Sequence, residues 1–97
     1  TFKGVYLKHL LTGSDTGGVF SAHFVKIEAG HEIGLHTHEE SDELHEVVDG
    51  KGSCLIGETT ADYSCGAISL IPKTIPHRVR AGAEGLFIFA KFIPPLV

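Results

Sequence analysis

No window of about a dozen residues in this chain keeps the 3.6-residue apolar period of an amphipathic helix. That absence constrains the fold more than any other feature. In place of helices stand short β-branched and aromatic runs, broken by twelve glycines and four prolines. The pattern predicts strands over Val19–Ile27, Gly34–His38, Glu43–Val48, Gly52–Ile56, Thr59–Tyr63, Ala67–Ile71, His77–Arg80 and Leu86–Ile93. Glu39-Glu40-Ser41-Asp42 reads as an acidic turn, Asp49-Gly50 as a two-residue hairpin, and Pro72 to Pro76 as a constrained loop. The first eighteen residues, with Gly13, Gly17 and Gly18, read as a strand and a mobile loop. Eight or nine short strands at roughly 8–12-residue intervals predict an all-β sandwich or barrel.

A chain of 97 residues makes one domain, residues 1–97. Its formal charge of −4 and its eight scattered Lys and Arg argue against a nucleic-acid partner. No run approaches the ~20 apolar residues of a membrane-spanning helix, and no signal-peptide pattern opens the chain. No membrane partner is expected. The two cysteines, Cys54 and Cys65, are too few for a disulfide scaffold and read as reduced thiols of a cytoplasmic protein.

The seven histidines carry more information, because three of them fall between Gly30 and His38. Side chains at i and i+2 of a strand leave the same face, so His36 and His38 point the same way. Glu43 begins the strand that runs back past them, and His77 follows the later Ile75-Pro76 pair. Three imidazoles and a carboxylate are the ingredients of a transition-metal site with open positions. The bland alternative is a pair of exposed strand histidines. Glu32, Glu39, Glu40 and Asp42 compete for the carboxylate role, but the last three fall in the turn and are expected to face water. Strand parity puts His45 and Val47 on the face of Glu43. His45 is then a hydrogen-bond partner behind the ligands, a proton shuttle, or a histidine filling space at the barrel mouth. By the same parity Val47, Val79 and Ile88 are expected to line the cavity, and Arg78 and Arg80 to point outward.

The spacing Gly30, five residues, His36, one residue, His38, four residues, Glu43, six residues, Gly50 resembles the first motif of the cupin superfamily at every fixed position. Gly66, Pro72 and His77 resemble its second motif, over residues 66–81. Thr74 and Ala81 depart from the usual glycine and asparagine there, and Ala67 from a frequent aspartate. The resemblance covers about residues 19–93, with 15 residues from Lys51 to Cys65 between the motifs. It implies a double-stranded β-helix, a jelly-roll barrel of two antiparallel sheets. It implies His36, His38, Glu43 and His77 as ligands of one divalent Fe, Mn, Ni, Zn, Cu or Co ion. It does not imply one reaction. The expected activity is that of a metalloenzyme of dioxygenase, isomerase or lyase type, acting on a small organic molecule inside the barrel. The alternative is a non-catalytic module that binds or senses a small ligand or sugar. Leu86–Ile93 is apolar on both faces apart from Lys91, so a second copy of the chain is expected to cover one of them, as a homodimer.

Overall fold

The computed structural model describes residues 2–97. Seven strands make up the fold: β1 (Val5–Leu11), β2 (Ser21–Ile27), β3 (Glu32–His36), β4 (Asp42–Ile56), β5 (Thr59–Ser64), β6 (Ile68–Ile71) and β7 (His77–Ile93). Among the described residues there is no helix.

The two long strands, β4 and β7, organise the rest. They pair antiparallel along almost their whole length, from Asp42↔Ile93 to Ile56↔His77. The first half of β4 also pairs with β6, and the second half with β5. The second half of β7 pairs with β2, which pairs in turn with β1, while its first residues pair with β3. One sheet therefore runs β1-β2-β7-β4-β6 and the other β3-β7-β4-β5, joined by the shared ribbon. This is a jelly roll.

The ribbon has to bend for its ends to meet. Thirteen residue steps of strand, from Glu43 to Ile56, would extend about 43 Å, more than the longest dimension of the molecule, 38 Å. The bend falls where β4 carries an extra residue between Val47 and Asp49 and where β7 carries extra residues between Ala81 and Leu86, opposite Gly50 to Gly52. Gly50, at φ 83°, faces Gly85, at φ 78°. A Cβ on Gly50 would run into the Gly85 carbonyl oxygen, so only glycine permits this approach.

This corrects two expectations. Asp49-Gly50 is not a hairpin; the chain continues through it as one bulged strand, which fuses Glu43–Val48 with Gly52–Ile56. His77–Arg80 and Leu86–Ile93 are likewise one strand, and seven strands replace eight or nine. A positive-φ glycine serves a bulge as well as a tight turn, and the long-range partner decides between them.

Inward-facing residues alternate along both long strands. Glu43, His45 and Val47 are buried on β4 while Glu46 and Val48 are exposed. On β7, Leu86, Ile88, Ala90 and Phe92 are buried. With Ile27, Ile71, Tyr63 and Cys54 they form the core. Cys54 is fully enclosed and burial pushes its thiol up, so it behaves as an apolar filler rather than a nucleophile.

Candidate metal centre

His36 closes β3 and His77 opens β7, where the two are directly paired. Their rings lie 4.1 Å apart, centroid to centroid. His38 sits just past the end of β3, and its ring meets that of His36 edge-on at 5.0 Å. The expected strand through His38 stops two residues early, yet the imidazole still reaches the same spot. The His38 carbonyl accepts the backbone N–H of Thr74 at 2.8 Å, which ties its loop to the one before His77. Glu43 enters from the opposite end of the ribbon.

One ligand atom from each of His36, His38, Glu43 and His77 lies within 4.8 Å of every other. The bend brings Glu43 Oε1 to 3.2 Å from His77 Nε2 and 3.5 Å from His38 Nε2.

The polarity of these atoms tests whether a cation fits. His36 Nδ1 lies 2.7 Å from the Gly34 carbonyl and His77 Nδ1 lies 3.1 Å from the Ile75 carbonyl. A carbonyl only accepts, so each Nδ1 carries the hydrogen and each Nε2 of a neutral ring presents a lone pair. Lone pairs and a carboxylate oxygen thus converge on one point. Glu43 Oε1 and His77 Nε2 are both buried and, while His77 is neutral, face each other as two acceptors with no hydrogen between them. Such atoms are costly to leave unpaired, and a shared cation satisfies both together. The four residues suit a transition ion, since three nitrogens disfavour Mg and Ca.

Electrostatics agree. Burial pushes the Glu43 carboxyl up, but the imidazoles of His45 and His77 more than offset it and hold it well below the usual carboxylate range. Burial pulls His77 down, yet Glu43 and the Ile75 carbonyl raise it above the ordinary histidine value. In the metal-free chain a proton on His77 therefore partly substitutes for the cation. Burial holds His36 and His38 below the ordinary value, against the pull of Glu43 on both, so both rings are neutral and ready to ligate near pH 7.

His45 stands behind the carboxylate. Its Nε2 is 2.6 Å from Glu43 Oε2 and its Nδ1 is 2.9 Å from the Tyr63 hydroxyl. Burial pushes the Tyr63 phenol up, so the hydroxyl keeps its proton and donates to Nδ1. His45 then donates from Nε2 to Glu43, which leaves Oε1 aimed at the imidazoles. Sequence reasoning missed Tyr63. Ala61 and Tyr63 alternate with Thr60, Asp62 and Ser64 on β5 and so face inward, but alternation alone does not name the partner of the hydroxyl.

The other acidic residues stay out of the centre. Glu39 and Glu40 are exposed, as expected. Asp42 is half-buried instead of facing water, because its carboxylate accepts the backbone N–H of Lys73 at 2.9 Å. Glu32 pairs with Arg80 on the surface at 3.0 Å.

Beside the four residues opens a cavity of about 390 Å³, walled by His36, His38 and Glu43 and otherwise by apolar side chains such as Phe2, Val5, Leu7, Val25 and Phe92. Val47, Val79 and Ile88, expected to line it, belong to the core instead. His23 is buried next to this wall: its ring meets Phe92 edge-on at 5.5 Å and its Nδ1 lies 2.8 Å from Nδ1 of His9.

Residues 23–89 match the cupin domain. The chain belongs to the cupin family. Solved cupin-like structures superpose closely on it. A predicted oxalate decarboxylase from Thermotoga maritima has a TM-score of 0.87 at 22% identity, over 93% of this chain and 80% of that one. The ectoine synthase of P. lautus gives 0.86 at 26% identity, over 98% and 67%. KdgF from Halomonas sp. gives 0.84 at 22% identity, over 95% and 82%. This cupin spans 61% of the length of a cupin-2 domain protein from Rhodospirillum rubrum. No curated protein sequence matches it. At these identities the likeness establishes the fold, and its diversity of names leaves the reaction open.

Proposed function

We propose that this cupin is a metalloenzyme that holds one divalent transition ion (Fe, Mn, Ni, Zn, Cu or Co) on His36, His38, Glu43 and His77. It acts on a small organic molecule in the adjoining cavity, by a dioxygenase, isomerase or lyase reaction. The observation that carries this reading is the facing pair of buried, unpartnered atoms, Glu43 Oε1 and His77 Nε2, beside two more imidazoles at a cavity wall. A bound ion supplies Lewis acidity or oxygen activation at its open positions. The chain's own contribution is to fix the ligands. Gly34 and Ile75 orient two rings through their carbonyls, and His45, held by Tyr63, orients the carboxylate. The apolar walls exclude water from the part of the bound molecule that lies against them.

His45 is a positioning residue in this reading. It is buried behind Glu43 and does not line the cavity. That placement also favours the second reading, a non-catalytic binding or sensing module. Among the described residues, no acid or base other than the ligands themselves lines the cavity. Metal analysis tests the site: one equivalent per chain is expected in the wild type and none in the H36A/H38A double variant. A full equivalent in that variant overturns the assignment. Following a bound ligand by NMR for hours then separates turnover from capture.

A homodimer completes the proposal. The outer face of the β1-β2-β7-β4-β6 sheet carries Phe24 and Phe87 exposed and Phe89 half-exposed. Lys8 and Lys26 stand on its β1-β2 side and Glu46 on its β4 side. A two-fold axis along the strands lays the lysines of one copy over the glutamate of the other, with the aromatic rings between them. Sedimentation of Phe87→Lys is expected to shift the protein to monomer, and an unchanged mass would place the contact elsewhere. Free Cys54 and Cys65 accord with a reducing, cytoplasmic setting.

A further inference from the structure

The composition of the cavity wall restricts what can sit on the ion. Resting on the metal reading above, we infer that this site takes a singly charged oxygen chelator with an apolar body, and rejects ligands with a second charge. Three observations support this class.

The first is charge. A divalent ion held by three neutral imidazoles and one carboxylate keeps one net positive charge, which one anionic head neutralises. The second is the rest of the wall. Beyond His36, His38 and Glu43, the described lining residues are all apolar, among them Val5, Leu7, Val25, Ile33 and Phe92. None carries a hydroxyl, amide, ammonium or guanidinium. A second carboxylate, or the hydroxyls of a sugar, would lose water there and find no partner. The third is size. About 390 Å³ lies at the small end of ligand cavities and suits a compact molecule rather than a polymer.

The strands explain why the wall is apolar. Val5 and Leu7 of β1 stand opposite Ile27 and Val25 of β2, on the inner face of the sheet edge. The lysines of these strands, Lys8 and Lys26, alternate to the outer face with Tyr6 and Phe24. Cations thus lie near the site in sequence but on the wrong side of the sheet. Leu7 is the convenient probe, because it lines the cavity yet remains 49% exposed and so tolerates a long polar side chain.

The test uses protein reconstituted with nickel, its metal content measured, and two 2-oxo acids with the same chelating head. One is 4-methyl-2-oxopentanoate, with an apolar tail, and the other is 2-oxoglutarate, with a carboxylate tail. Calorimetry is expected to show the apolar acid binding at least about tenfold more tightly. Leu7→Arg, which puts a cation into the wall, is expected to strengthen 2-oxoglutarate and narrow or reverse that ratio. Equal or tighter binding of 2-oxoglutarate by the wild type overturns the inference. So does failure of both acids to bind the nickel-loaded protein, or a ratio unmoved by Leu7→Arg in a folded variant. Failure of the metal reading looks different. The protein then takes up no nickel, or the apolar acid binds equally well after the nickel is stripped.

Discussion

Two groups of histidines lie on the inner side of this barrel, and they are built for opposite ends. At one, His36, His38 and His77 surround a carboxylate, and two buried polar atoms remain without partners. At the other, His9 and His23 satisfy each other at 2.8 Å, and His23 Nε2 lies 2.8 Å from the Ser21 hydroxyl. That hydroxyl accepts the Leu96 backbone N–H at 2.8 Å. The second group is closed: it leaves no buried side-chain polar atom without a partner, no carboxylate joins it, and it ties β1, β2 and the C-terminal segment together. Closely spaced imidazoles therefore do not define a metal site. Convergent ligand atoms that only a shared cation or proton can satisfy are what suit one.

Metal removal should separate the two groups most sharply. If the ion ties β3, β4 and β7 together, chelation at pH 7.5 is expected to lower the melting temperature by at least about 10 °C. As pH falls, protons compete at all three imidazoles, and His77, whose value Glu43 raises, takes its proton first. The chelator effect should be nearly gone by about pH 5. Scanning calorimetry with and without chelator, on protein shown to carry metal, checks both statements. Equal melting temperatures at pH 7.5 would mean that the ion does not brace the barrel.

The next largest effect should come from behind the ligands. His45→Ala frees Glu43 Oε2 and lets the carboxylate turn, so metal affinity is expected to drop about 10–100-fold. Tyr63→Phe removes only the hydroxyl that fixes the His45 ring and should cost less. Competition with a chromogenic chelator measures both. If Tyr63→Phe cost more than His45→Ala, the order of the chain from Tyr63 through His45 to Glu43 would be wrong.

The difference between the two groups also marks how far the sequence could be read. His36, Glu43 and His77 stand at recognisable spacings, and the alternation of Glu43, His45 and Val47 against Glu46 follows from strand parity alone. Partners set by register were not legible. His9 meets His23 only because β1 pairs with β2 with His9 opposite His23. Tyr63 reaches His45 only because β5 lies against the later half of β4. Asp49-Gly50 carries the local chemistry of a turn, and the apposition of Gly85 makes it a bulge instead. Local spacing is written in the chain, whereas register emerges from packing.

A smaller, pH-dependent effect belongs to the closed group. Burial lowers His23 below the ordinary value and His9 lowers it further, with Glu43 pulling weakly the other way. The folded chain thus binds this proton less readily than the unfolded chain. Its contribution to stability should be lost as pH falls below about 6.5, levelling off below the folded value. His23→Gln is expected to cost roughly 1 kcal/mol at pH 7 through the hydrogen bonds to His9 and Ser21. The gap should narrow by pH 5, with metal content unchanged. Urea unfolding of metal-free wild type and variant across this range checks it, and parallel curves would mean that His23 does not titrate differently on folding.

The smallest effect lies on the metal side, where the loop before His77 carries backbone strain. Thr74 stands at φ 71° and is the one described non-glycine residue in the left-handed region. This is the position where the second motif usually has glycine, so the departure costs most where glycine is most useful. A β-branched residue is disfavoured there. Thr74 holds the conformation while its N–H bonds the His38 carbonyl, so strain in one loop keeps the other in place. The side chain is exposed, and glycine preserves the same N–H. Relief of the strain and the extra freedom glycine gives the unfolded chain oppose each other. Thr74→Gly is therefore expected to stabilise the protein by only about 0.5 kcal/mol, with no change in metal stoichiometry. Urea unfolding decides it. A loss of stability above about 1 kcal/mol would show that the threonine side chain makes a contribution its backbone geometry conceals.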